Sequence, residues 1–272
     1  MKKELKLPEE QELKAIPFPK AAEKKLEIFM SEMTKAVAKQ YKNETYKKLN
    51  QGTIEKFEDA QVGNWAAIFT TLSNKAKRKI KKRFNKDRIF KKVKEVLESI
   101  IRINQYITYT DIEEEMGINS QQLLKEEGLK PTNNAFIQES FEWVMRNLDE
   151  TLQDFSANSL RVMAGGDTVE NAINQFDELA DKRVEQAKFL ARNQVANFNA
   201  LSNKVRYQNL GITEAVWVTA QDERVRHSHA DRDGKRFNIS EGLYSSVDGK
   251  TLMVGLDYGC RCIMKPIIPE DD

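Results

Sequence analysis

Cysteine and histidine are almost absent from this chain, each occurring twice in 272 residues. Two cysteines cannot build a disulfide scaffold, and so sparse a use of thiols fits a reducing compartment. No apolar run approaches the roughly 18 residues that a membrane-spanning helix needs. Met1-Lys2-Lys3-Glu4 mixes charges and has no apolar stretch behind it, so no signal peptide is expected. Proline is confined to Pro8, Pro17, Pro19, Pro131, Pro266 and Pro269, which leaves two long tracts where helices can run unbroken. With 40% hydrophobic and 32% charged residues, the chain has material for one large domain or two modest ones.

The net charge of +2 hides a local asymmetry. Residues 75–94 hold twelve Lys or Arg against one acid, Asp87, so this stretch carries +11 and the rest of the chain −9. Such an excess goes beyond ordinary i,i+4 pairing on a helix face and points to an anionic partner. Lys75, Lys77, Arg78, Lys79, Lys81, Lys82, Arg83, Lys86 and Arg88 are the candidate DNA-binding residues, able to neutralise phosphates without reading sequence. Ile80, Phe84, Ile89 and Phe90, interleaved among them, fit the buried side of an amphipathic helix better than base-stacking positions. An acidic protein surface, or a solvated helix face beside acidic neighbours, would explain the same charges.

Apolar periodicity predicts a mainly α chain: a long helical N-terminal and central body, then a small α+β C-terminal module. Three regions are expected: a helical region over 1–130 with its basic helix at 75–94, an antiparallel helix pair over 131–210, and the module over 211–272. Residues 1–20 read as an extended, solvated lead-in. Leu26, Ile28, Phe29, Met33, Ala36, Val37 and Tyr41 predict a helix from Ala21 to about Asn50. A second helix is expected to span the basic stretch and continue to Ile101. One stripe of the pair runs from Phe136 to Phe155 and closes at Gly165-Gly166; the other runs from Val169 to Val205 and closes at Gly211. Asp167 and Glu170 read as a capping box between them. After Gly211, Val216-Trp217-Val218-Thr219, Thr251–Val254 and Cys260–Ile268 are strand candidates, with Asp233-Gly234 and Asp248-Gly249 as turn dipeptides. Pro266 places the last strand at a sheet edge or lets it leave the sheet early.

All four histidines and cysteines fall between positions 227 and 262, as His227-Ser-His229 and Cys260-Arg-Cys262. On extended strands, i and i+2 share a face, so two facing pairs would offer two imidazoles and two thiolates to a zinc ion. Asp222 or Asp231 could replace His227. The plainer alternative is two small buried thiols and two hydrogen-bonded or surface histidines. So short a loop strains an S–S bond and argues against a Cys260–Cys262 disulfide.

The same segment carries a resemblance. In order, it has an Ala/Arg/Asn-rich helix with Ala191-Arg192-Asn193-Gln194, Gly211-Ile212, the Trp217 strand, and Asp222-Glu223-Arg224-Val225-Arg226-x-x-His229. Asp233-Gly234 and Cys260-Arg261-Cys262 follow. This order resembles the head-morphogenesis family named after phage Mu protein F, over roughly 135–268. One departure stands out: His227 occupies a position where the family usually has proline.

The resemblance implies a non-enzymatic minor head protein of a tailed bacteriophage, present in the host cytoplasm during assembly and then in the virion, inside the head near the portal. Portal protein, major capsid or scaffold protein and packaged DNA are the implied partners, and no membrane is. Two rivals stay open. One is an enzyme acting on nucleic acid through Asp222, Arg226 and His229, where a histidine moves protons and cations stabilise developing charge. The other is a helix-turn-helix regulator built from residues 108–128, although Glu113, Glu114 and Glu115 would sit near phosphates.

Overall fold

A computed structural model of the chain describes residues 13–50, 62–116, 128–166 and 168–268. The helices are α1 (Lys20–Glu44), α2 (Tyr46–Asn50), α3 (Val62–Arg83), α4 (Lys86–Met116), α5 (Lys130–Ala164), α6 (Val169–Asn209) and the single turn α7 (His227–Ala230). The strands β1 (Glu214–Val218), β2 (Arg236–Asn238), β3 (Leu243–Ser245), β4 (Lys250–Leu252) and β5 (Ile263–Ile267) all follow α6. The expected architecture, a helical body leading into a small α+β module, is therefore the observed one.

The chain clusters into two compact units. One comprises Met1–Lys24, Lys94–Gln138 and Arg192–Asp272; the other comprises Lys25–Val93 and Glu139–Ala191.

The second unit is an all-helical body centred on aromatic rings. Phe176 stacks on Tyr41 with centroids 5.7 Å apart, and tilts against Phe155 at 4.7 Å. Tyr46 meets both Phe69 and Phe176. Buried tyrosine hydroxyls need partners, and serines supply them: Tyr41 Oη lies 2.8 Å from Ser73 Oγ, and Tyr46 Oη donates to Ser159 Oγ at 2.5 Å. The α5–α6 pair runs antiparallel here, with Arg183 of α6 bonded to Asp154 of α5 and Phe176 packed on Phe155.

Local chemistry moves several helix boundaries from their expected places. The basic stretch is not one helix, because α3 ends at Arg83 and Asn85 opens α4 by accepting the Arg88 amide on Oδ1 at 2.9 Å, the bond of an N-cap. The first helix breaks at Thr45, so α1 ends at Glu44 and α2 carries on to Asn50. Thr168 provides a capping oxygen of α6: its Oγ1 accepts the Asn171 amide at 3.2 Å. Asp167 itself lies outside the described residues.

Gly166 has φ 78°, as the paired glycines predicted. At the end of α6, Gly211 sits at φ 77°, while its amide reaches Gln208 O at 3.0 Å and the Ile212 amide reaches Tyr207 O at 2.9 Å. This paired closure needs a left-handed residue at that point, which glycine fills without strain.

The module in the first unit is a three-stranded antiparallel sheet of order β2-β1-β5, beside the β3-β4 hairpin. Alternation along β1 sends Ala215 and Trp217 into the core, opposite Pro266 and Met264 of β5. Strand β5 is an edge, the first of the two outcomes that Pro266 allows. The lead-in is not solvated throughout: Leu13 and Ile16 are buried in the cluster that holds Trp217, and the Leu13 amide donates to Pro266 O at 3.2 Å. The edge strand's outward carbonyl is what recruits it. The Lys14 amide then donates to Asp111 Oδ2 of α4 at 2.6 Å.

Candidate functional site

Of the four His and Cys residues, the structure brings together three. His229, Cys260 and Cys262 are all buried, and their ligand atoms lie within 4.8 Å of one another. His229 Nδ1 is 3.5 Å from the sulfur of Cys260 and 3.5 Å from that of Cys262.

His227 is not among them: it is exposed. The strand premise fails there because His227 and His229 lie on the helical turn α7, where residues two apart point to roughly opposite sides. Nor are the cysteines on a strand. They occupy the irregular segment just before β5, where the Cys262 amide approaches Cys260 Sγ at 3.4 Å and folds both thiols to one side. Both cysteines are free of disulfide.

The other ring nitrogen of His229 is held by Asp257, with Nε2 3.1 Å from Oδ2. Arg226 donates to the same oxygen and to the Tyr258 carbonyl. Asn193 of α6 accepts the Gly259 amide on Oδ1 at 2.6 Å and so fixes the loop that carries Asp257. Trp217 meets His229 edge-on, with centroids 5.7 Å apart.

The electrostatics of the three are mutual. The Cys260 contact raises the His229 imidazole above its ordinary range. Hydrogen bonding from Cys262 and His229 holds the Cys260 thiol well below its ordinary value, and the Cys260 sulfur with burial pushes Cys262 up. Such a set favours at least one thiolate beside a histidine.

Asp257 escaped the sequence reading, although it is the acid nearest to Cys260 on the N-terminal side. Arg232 escaped it too, since an arginine between two aspartates reads as surface. In fact Arg232 has no exposed side-chain area.

Asp222 of the enzyme reading, and Asp231, the other carboxylate weighed in place of His227, are engaged in ties within the module. Asp222 accepts from Arg261 and from the Arg224 amide, the latter at 3.1 Å, and those contacts hold its carboxyl below the usual range. Asp231 accepts from Ser245 at 2.6 Å and Lys235 at 3.1 Å. The helix-turn-helix expectation falls mostly on residues 117–127, which lie outside the described residues.

The basic stretch forms a second candidate surface. Lys75, Arg78, Lys79, Lys81, Lys82, Arg83, Lys86 and Arg88 are exposed, while Lys77 is half-buried and its ammonium is lowered by that burial. Ile80 and Ile89 are buried, and Phe84 and Phe90 half-buried, as an amphipathic arrangement requires. Lys79 pairs with Glu44 and Lys81 with Asp149, each at 2.7 Å, and Arg83 donates to Gln40 at 3.3 Å. Among the described residues, Lys75, Arg78, Lys82, Lys86, Arg88 and Lys91 make no ion pair. No described helix is long and apolar enough to cross a membrane.

Comparison with known proteins agrees with the motif order. Residues 153–265 match the family described as Phage Mu protein F like protein, a narrower span than 135–268 that still contains every residue of the His/Cys cluster. The chain is 24% identical over 259 residues to an uncharacterized protein of Haemophilus influenzae (strain Rd), and the match covers 93% of this chain and 56% of that protein. The chain thus spans little more than half the length of that relative. No solved structure matches it. Over residues 153–265 the chain is thus similar to the Phage Mu protein F like family.

Proposed function

We propose that this chain is a minor head protein of a tailed bacteriophage, held on the inside of the procapsid near the portal, where it acts in head morphogenesis and contacts packaged DNA. The observation that carries this reading is the family match over 153–265. The helical body offers long faces for portal, major capsid or scaffold protein. Exposed cations on α3 and α4 that have no acid partner among the described residues suit non-specific contact with phosphates. A non-enzymatic role fits the engagement of Asp222 by Arg261 and of Arg226 by Asp257. Assembly would place the protein first in the host cytoplasm and then in the virion.

Mass spectrometry of purified procapsids and virions from the phage or induced prophage that carries the gene tests this. The protein is expected in both particles; its absence from both overturns the reading. DNA cleavage by the purified protein, abolished by Arg226→Ala, would favour the enzyme instead.

A further inference from the structure

We infer that His229, Cys260 and Cys262 are the three protein ligands of a zinc-type cation, with Asp257 as the carboxylate that orients the histidine. This assignment does not depend on the head-protein reading.

The geometry carries it. Tetrahedral zinc with Zn–S near 2.3 Å and Zn–N near 2.05 Å places ligand nitrogen and sulfur about 3.5 Å apart. His229 Nδ1 lies 3.5 Å from each of the two sulfurs. A neutral imidazole has one lone pair, so two thiols converging on one nitrogen exceed what hydrogen bonding alone requires. A cation on the lone-pair axis accounts for both.

The surroundings agree. Asp257 Oδ2 stands 3.1 Å from His229 Nε2, which places the proton on Nε2 and leaves the Nδ1 lone pair facing the sulfurs. The Cys262 amide points at Cys260 Sγ, an approach that a metal-bound thiolate accepts better than a neutral thiol. Trp217 packs edge-on against His229 and walls off that side of the group. Two sulfurs and one imidazole nitrogen suit zinc over magnesium or calcium, which take oxygen ligands.

Asp257 cannot supply the fourth ligand, because it is committed to the far nitrogen of the ring. Asp222 and Asp231 are tied to Arg261 and to Ser245 and Lys235. Among the described residues, no further His, Cys, Asp or Glu joins the group. The fourth position therefore falls to water or another small ligand. An ion held by these three buried side chains would tie α7 to the segment before β5.

The test uses the full chain, purified reduced and without chelator. Elemental analysis is expected to find zinc at stoichiometry. Cobalt(II) added to the stripped protein is expected to give tetrahedral d–d bands and thiolate charge transfer. Cys260→Ser and Cys262→Ser should each reduce the charge-transfer band, and His229→Ala should abolish stoichiometric binding. Asp257→Asn should keep the spectrum and weaken affinity about 10–100-fold. His227→Ala should bind as the wild type does. Reduced wild-type protein without stoichiometric zinc and without a thiolate–cobalt band overturns the site, a result that does not require any variant to fold. Loss of metal in His227→Ala, with native circular dichroism, overturns the three-ligand assignment.

Discussion

The guanidinium of Arg232, with no exposed area, forks onto both carboxylate oxygens of Asp248: Nη2 lies 3.1 Å from Oδ1 and Nη1 3.3 Å from Oδ2. The same side chain donates to the carbonyls of Ser228, Leu243 and Lys250, at 2.8, 2.9 and 2.6 Å. One cation thereby ties the turn α7 and the β3-β4 hairpin together while lying over the Trp217 ring at 5.6 Å. Replacement by methionine keeps the bulk but strands three carbonyls and a carboxylate. Arg232→Met is expected to destabilise the module by about 3 kcal/mol, the cost of leaving three carbonyls without their donor. Urea unfolding followed by Trp217 fluorescence, in a background with Trp65 and Trp143 replaced by Phe, measures it, and a loss under about 1 kcal/mol would mean that the arginine is a passive filler.

The same pair predicts a pH dependence with a definite sign. Hydrogen bonding from Arg232 lowers the Asp248 carboxyl below its ordinary value. A carboxylate whose folded pKa is depressed contributes stability above its unfolded pKa, near 3.9, and loses that contribution as pH falls through the folded pKa. Wild type should therefore exceed Asp248→Asn in stability at neutral pH, and the gap should narrow below about pH 4. Unfolding midpoints of the two proteins from pH 7 to pH 3 follow it. A gap that is constant across the range would mean that the carboxylate's charge is not what Arg232 requires.

Periodicity read the large elements well, because each long helix buries one stripe and the stripe is written in the residues. Phe141, Val144, Leu148, Leu152 and Phe155 recur at helical spacing and are buried. The edge position of β5 is one of the two outcomes that the missing amide of Pro266 allows. What stayed illegible depends on contacts between residues far apart in the chain or on a single cap. Asn85 looked like one polar residue in a basic helix, and only its bond to the Arg88 amide marks the break. In the His/Cys group, residue type picked out three side chains that the fold brings together, but the period did not. His227 and His229 were expected on a strand, and one helical turn sends His227 to solvent. Asp257 acquires its role only because the Gly259 loop returns to Asn193, 66 residues earlier in the chain.

That return loop also depends on a close approach. A Cβ on Gly255 would lie 2.6 Å from Ala200 Cβ on α6, and its φ is 77°. Gly249 has a similar φ, 64°, but open space around the missing Cβ. Gly249→Ala therefore measures backbone strain alone, and Gly255→Ala measures strain plus collision. The second should cost about 1–3 kcal/mol more than the first, the usual cost of overpacking. Equal losses in thermal or urea unfolding would show that the loop shifts away from α6 freely.

On the basic surface, Lys75, Arg78 and Lys82 are three and then four residues apart on α3, hence on one face, exposed and without ion pairs among the described residues. Lys79 and Lys81 instead hold Glu44 and Asp149. If the face meets DNA, the wild-type log–log plot of affinity against salt should be steep. Each lost phosphate contact removes about 0.9 from that slope, so the triple Ala variant should flatten it by up to about 2.7. Affinity should fall alike for unrelated duplex sequences, because phosphates carry no sequence information. Lys79→Ala with Lys81→Ala should act on the fold as well, through two lost exposed pairs worth at most about 1 kcal/mol each. Fluorescence anisotropy with short duplexes at graded salt decides between DNA and a protein partner. Absence of salt-sensitive binding by the wild type would move the anionic partner from nucleic acid to an acidic protein surface in the head.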